Sequence, residues 1–188
     1  MNPSIINTRP KNSIVGKVLT RFVSILLVLA VTIFTLEYFS SYKVSETIHT
    51  DAPVITKKSI IINAPIEKIW EIFSDVDQWD TWQKEIVTPK INGVFKAGTS
   101  FDWKSNGLTI TSTLQTVETN KRVVWSGPAL GAFAIHTWNF TEKDGQTIIS
   151  VEESMEGWLV KLLKGKFQSS LDTSIENWLI YLKTESEK

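Results

Sequence analysis

The chemistry open to this chain is concentrated in two residues, His136 and Glu153. A histidine and a carboxylate held side by side can pass a proton as general base and acid; equally, the pair can be a satisfied polar contact that orients a ligand carbonyl or braces a sheet. The local pattern brings the two together. The stretch Trp125–Gly157 reads as two long strands around Asp144-Gly145, a strong signal for a two-residue type I′ turn that pairs Lys143 with Gln146. Counting outward from that turn, Phe140 faces Ile149, Trp138 faces Val151 and His136 faces Glu153. All lie on one face, because side chains alternate along a strand. A large apolar face is thus expected to carry one ionisable pair.

Other chemistries are absent from the pattern. Cysteine is missing, so there is no disulfide, thiolate nucleophile or cysteine-based zinc site. His49, the only other histidine, falls in a polar stretch, and no serine-nucleophile motif, metal-spaced histidine pair or glycine-rich phosphate loop is present. Neither a metal nor a cofactor is expected. Zero formal net charge, without a basic patch in the globular part, argues against a nucleic-acid partner.

The elements that must position the pair follow from length and pattern. At 188 residues and 42% hydrophobic content, the chain fits one globular domain plus an appendage. Eight Trp and nine Phe are many for such a domain, and aromatic faces of this kind either fill a core or line a cavity for an apolar ligand. The appendage is N-terminal. Residues 1–21 form a basic tail with Arg9, Lys11, Lys17 and Arg21, and an uncharged run, Phe22–Leu36, follows. That run alone spans about 22 Å as a helix, short of the roughly 30 Å hydrocarbon core. Its flanks extend it to a transmembrane helix over residues 18–39, with Lys17 and Arg21 snorkelling and Tyr38 and Tyr42 suited to the interface. A cleaved signal peptide is the competing reading, but bulky Glu37-Tyr38-Phe39 stands where a small-residue cleavage site belongs. Because the positive charges precede the span, a single-pass protein with its globular part on the non-cytoplasmic side is expected.

A polar linker, residues 43–54, leads to a domain over 55–188. Strand Ile55–Ile62 comes first. Asn63-Ala64-Pro65 then opens a helix with Asn63 or Ala64 near the N-cap, Pro65 in the first turn, and Ile66, Ile69, Trp70 and Phe73 on one face. Trp79 and Trp82 follow in a short second helix, placed either to cap a cavity mouth or to close the core. Next come a strand over Glu85–Lys90, a hairpin pairing Ser105 with Leu108, and a turn at Asn120-Lys121 that sets Trp125 opposite Thr116 and Gly127 opposite Leu114. The chain closes with an amphipathic helix from about Trp158 to Thr184, whose stripe Leu159, Leu163, Phe167, Leu171, Ile175, Trp178 and Leu182 must bury against the sheet, with Gly165 able to loosen its first turns. The inner face so assembled offers Phe101, Trp103, Ile110, Leu114, Trp125, His136, Trp138, Phe140, Val151 and Glu153, with Val123 beside them and Phe167 and Leu171 above, as candidate ligand contacts. The segment Gly127–Gly131 is either a gate or a plain strand connection.

Several segments carry a family resemblance: INAPIEKIWEIFSDVDQWDTW (Ile62–Trp82), Gly98–Trp103, Val124–Gly127, His136–Trp138, Glu152-Glu153 with Gly157, and the terminal helix. Through them, Ile60–Lys183 resembles the polyketide cyclase/dehydrase and lipid transport family of the START-like (SRPBCC, Bet v 1-like) superfamily. The resemblance implies an α+β helix-grip fold, a curved antiparallel sheet wrapped around a long C-terminal helix, and a cup that holds a hydrophobic small molecule or lipid. The cargoes of that superfamily range over sterols, phospholipids, polyketides and plant hormones, and a few branches catalyse reactions. Three readings follow: a membrane-anchored ligand-binding domain, a cyclase or dehydratase type of enzyme using His136 and Glu153, and an anchored interaction domain whose cavity is filled by its own side chains. Cavity volume separates the last from the others.

Overall fold

A computed structural model describes residues 14–105 and 107–188, so Arg9 and Lys11 of the basic tail and Asn106 of the second hairpin lie outside the described residues. The chain divides into two units, Met1–Phe39 and Ser40–Lys188. In the first, α1 (Ile14–Tyr38) runs for 25 residues, about 37 Å of helix, with an apolar span at Gly16–Tyr38. The flanks do extend the helix beyond the uncharged run, to more than the thickness of a hydrocarbon core. Thr20, Thr32 and Thr35 donate their hydroxyls to the carbonyls of Gly16, Val28 and Val31, which removes the cost of placing those groups in an apolar setting. One such N-terminal helix is what a membrane span and a signal sequence have in common.

The second unit is α+β. Its elements are β1 (Val54–Ile62), α2 (Ile66–Ser74), a 3-10 turn (Val76–Gln78), α3 (Trp79–Trp82), β2 (Val87–Ile91), β3 (Ser100–Ser105), β4 (Leu108–Glu118), β5 (Arg122–Ala129), β6 (Ala132–Lys143), β7 (Gln146–Glu156), α4 (Trp158–Leu162) and α5 (Lys164–Ser186). The strands form one curved antiparallel sheet in the order β1-β7-β6-β5-β4-β3-β2. Asp144 and Gly145 both have positive φ, as a type I′ turn requires, and Lys143 pairs with Gln146. Every pair in the β6/β7 ladder then falls where the turn puts it, including His136 with Glu153. The second hairpin also keeps its register, Ser105 opposite Leu108 and Trp103 opposite Ile110.

Three local expectations are corrected. The β4–β5 turn has three residues rather than two: Lys121 N–H reaches the Glu118 carbonyl, Asn120 adopts φ 57°, and Glu118 pairs with Arg122. A bulge between Leu114 and Thr116 then sets Leu114, not Thr116, opposite Trp125, so Leu114 does not face Gly127, and Thr113 pairs with Ser126. The side chain of Gln115 holds the bulge by donating to the Thr113 carbonyl and Ser126 Oγ. At α2, Pro65 keeps an extended ψ of 147°, so it is itself the N-cap and the helix starts one residue later. The terminal helix breaks at Leu163 (φ −116°, ψ 32°), not at Gly165, which lies inside α5. Leu163 leaves the buried stripe there and is 41% exposed.

The concave face of the sheet grips α5. Gln168 bonds both the N–H and the carbonyl of Ile55, and Asp172 accepts from Thr56, so the helix satisfies the open edge of β1. On the other flank, Glu85 accepts from Asn177 and Ser174. The 3-10 turn is tied down by Asp77, which takes Lys90 at 2.5 Å and the Ile91 N–H at 2.7 Å. Those two donors, Lys90 first, hold the Asp77 carboxyl below its usual value of 3.8. The segment expected as a linker, residues 43–54, is held on the convex face together with Tyr42: Tyr42 stacks on Phe133 at 5.1 Å, Ile48 is buried, and His49 donates its N–H to Ser154 Oγ and sets Nδ1 3.1 Å from Glu156. The Arg122 guanidinium completes this docking through the Glu46 carbonyl.

Candidate functional site

The β6/β7 register puts His136 and Glu153 directly across from one another on the concave face. Nδ1 of His136 stands 2.7 Å from Oε2 of Glu153, with the two side chains 11% and 4% exposed. Apart from this ion-pair contact, Oε2 has no hydrogen-bond partner among the described residues. A carboxylate oxygen in that position is set to accept from a hydroxyl brought to it. The imidazole is fixed by its neighbours. Trp125 stacks beneath it at 5.0 Å and 23°, and Trp103 meets it edge-on at 6.5 Å. Trp103 is itself held by its indole N–H, which donates to Ser112 Oγ. Among the described residues, no group of three or more His, Asp or Glu comes together as a metal would require.

The pair closes the inner end of a cavity of about 210 Å³ between the sheet and α4/α5. Of the residues expected to contact ligand, Trp103, Ile110, His136, Glu153, Phe167 and Leu171 line it. Phe101, Leu114, Trp125, Trp138, Phe140 and Val151 do not; they face inward as the register requires, but α2, α3 and Trp178 cover them and they form packed core. Phe73, for instance, lies 4.9 Å from Trp138 and 5.9 Å from Trp125, while Trp178 lies 5.1 Å from Trp79 and 5.6 Å from Trp138. Trp79 and Trp82 are buried with them and close the core rather than cap the cavity.

Sequence reasoning missed the small residues. Gly127, Ala129, Ala132 and Ala134 on the strands, and Ser170 and Ser174 on α5, line the cavity and make room for it. Their signal was legible as a change of size along inward-facing positions, since Trp125 gives way to Gly127 and Ala129 two residues at a time. Glycine at 127 is compulsory, because an added Cβ would lie 2.7 Å from the Thr111 carbonyl. The segment Gly127–Gly131 is a tight strand connection that also borders the opening: Ala129 pairs with Ala132, and the Gly131 carbonyl accepts the Leu159 N–H at 3.0 Å. Gly157 meets it from the other side at φ 126°, where a Cβ would strike that same carbonyl.

Comparisons with known proteins agree with this architecture. The family model described as polyketide cyclase / dehydrase and lipid transport matches residues 42–177. No curated protein matches the chain in sequence. Among solved structures, the hypothetical protein jhp0584 from Helicobacter pylori is similar at TM-score 0.66 and 18% identity, covering 78% of this chain and 99% of that one. The Zhui aromatase/cyclase from Streptomyces sp. R1128 superposes at TM-score 0.64 with 11% identity, over 71% of this chain and 93% of its own. The di-domain ARO/CYC BexL from the BE-7585A biosynthetic pathway gives TM-score 0.61 and 16% identity, over 74% of this chain and 52% of that one. At such identities the likeness is one of fold.

Proposed function

The chain belongs to the polyketide cyclase / dehydrase and lipid transport family, and from that premise we propose that residues 40–188 bind a small hydrophobic molecule bearing one hydroxyl or carbonyl group. On the same reading, α1 holds the protein in a membrane as an uncleaved anchor, with the domain on the non-cytoplasmic side, because Lys17 and Arg21 precede the uncharged run Phe22–Leu36. The observation that carries the binding reading is a cavity walled mainly by apolar side chains, with the His136–Glu153 pair as its single ionisable feature. Its size bounds the ligand. A 150 Å³ apolar cavity takes benzene and typical ligand pockets start near about 300 Å³, so 210 Å³ suits one ring system or a single chain rather than both chains of a phospholipid.

Acid–base catalysis is the second reading, favoured by the 2.7 Å His136–Glu153 contact inside the cavity and by the aromatase/cyclase names of two similar structures. Native mass spectrometry of the detergent-purified full chain tests the first: a co-purified apolar molecule is the expected result, and a chain that stays bare against panels of apolar compounds overturns it. His136→Ala then separates the two. A binding domain keeps its apolar affinity within a few fold, since buried area at about 25 cal/mol per Å² supplies most of it. An enzyme loses turnover by about 10² to 10⁴ with binding little changed.

A further inference from the structure

We infer that Ser112 selects the polar group of the ligand: its hydroxyl donates to a carbonyl oxygen at the cavity wall, and Trp103 is the residue that positions it. The inference rests on the reading of the cavity as a ligand site.

Ser112 is 1% exposed and lines the cavity from β4. Its Oγ accepts the indole N–H of Trp103 at 3.1 Å, and among the described residues its own hydrogen reaches no acceptor. A serine hydroxyl has one donor and two acceptor positions. Here the protein engages an acceptor position and leaves the donor unspent, which is rare for a buried group. The surrounding row shows why no protein acceptor comes to it. Phe101 pairs with Ser112 on one side. On the other stands Gly127, where an added Cβ would lie 2.8 Å from Ser112 Oγ, and the row runs on through Ala134 to Met155. None of these side chains carries an oxygen. Glycine at 127 therefore does more than avoid the Thr111 carbonyl: it leaves the space beside the Ser112 hydroxyl unfilled.

The other polar side chains of the wall are committed or wet. Ser174 donates to Glu85 at 3.3 Å, His136 and Glu153 hold one another, Ser105 is half-buried and Ser170 is exposed. Ser112 is the buried donor that remains. A hydroxyl that accepts from an N–H is polarised toward donating. A ketone or ester carbonyl, which has acceptor positions only, is the group that such a donor satisfies without bringing a further donor to be paired.

The test uses the full chain in phospholipid nanodiscs and two probes of similar shape, tetralin and β-tetralone labelled with carbon-13 at its carbonyl. In the parent, isotope-edited infrared spectra should place the carbonyl band of bound ketone at lower wavenumber than that of ketone dissolved in disc lipid. Ser112→Ala should return the band to the lipid position and weaken ketone binding about tenfold more than tetralin binding, the scale of one hydrogen bond. Partition of each probe into lipid cancels in the ratio of variant to parent. Because Ser112→Ala also strips the Trp103 N–H of its acceptor, the double variant Trp103→Phe/Ser112→Ala, which lacks both partners, should give the same band. Trp103→Phe alone keeps the donor and loses what orients it, so its band should be broad and intermediate. A lowered band that survives Ser112→Ala overturns the inference, because another group then donates. If the parent binds both probes and the ketone band stays at the lipid position, the cavity reading stands and this inference alone fails; if neither probe binds, the cavity reading fails and takes the inference with it.

Discussion

Along β6 the inward side chains shrink from Phe140 and Trp138 through His136 to Ala134 and Ala132, while along β5 Val123 and Trp125 give way to Gly127 and Ala129. At the large end, α2 and α3 tuck in under α5 and the rings of Phe73, Trp79, Trp125, Trp138 and Trp178 fill the space. At the small end, Ser170 and Ser174 on α5 face alanine and glycine across a gap. One alternation pattern thus serves two purposes. Parity decides which residues point inward, and side-chain volume decides whether the inside is core or cavity.

The sharpest way to break this contrast is at the large end. Trp138 is fully buried and its indole N–H has no acceptor, so Trp138→Ala removes packing and orphans no partner. A loss of about 3–5 kcal/mol is expected in urea unfolding; a loss under about 1 kcal/mol would mean that the packed half is as adaptable as the cavity. At the small end the signs reverse. Ala134→Leu adds bulk where space exists, so ligand affinity should fall by about tenfold or more, near 1.4 kcal/mol, with the melting temperature nearly unchanged. Titration of whichever ligand co-purifies reads the first part, and calorimetry the second.

The smallest effect belongs to Asp77, at the outer edge of the packed half. Its folded carboxyl titrates below its ordinary value of 3.8, so its contribution is complete above that pH and is lost as the pH falls through the lower folded value. Asp77→Asn should therefore be slightly less stable than the parent near pH 7, and the gap should close in acid below pH 3.8. The effect is modest, because the pair with Lys90 is open to solvent. A gap that widened in acid would contradict the assignment, and ligand affinity at the small end should not change at either pH.

Much of the fold was legible because local chemistry fixed it. Asp144-Gly145 demanded one turn, the turn one register, and the register the His136–Glu153 pair. The β4–β5 connection was less legible because Asn120-Lys121 does not demand a two-residue turn, and the bulge at Gln115 is held by a side chain on one strand and a hydroxyl on the next. A parity change was nevertheless visible there, with Leu114 and Val117 both directed to the core three residues apart. The site was legible by half. Alternation could place Phe101 and Trp103 on the same face, but only the helices that lie over each could make one core and the other wall. Aromatic residues drew attention to the filled half, whereas the cavity is marked by the least conspicuous side chains in the domain.

The seam between α5 and β1 also sets an order of events in synthesis. Gln168 and the Ile55 backbone it satisfies are 113 residues apart, and β1 finds its strand partner only when β7 has been made. Contact order of this kind slows folding and leaves an apolar strand waiting for its neighbour. A nascent domain that stops short of α5 has no enclosed cavity, since α5 roofs it and follows all seven strands. On the binding reading, a ligand therefore has no enclosed site until α5 has been made, long after β1 has begun its wait for β7.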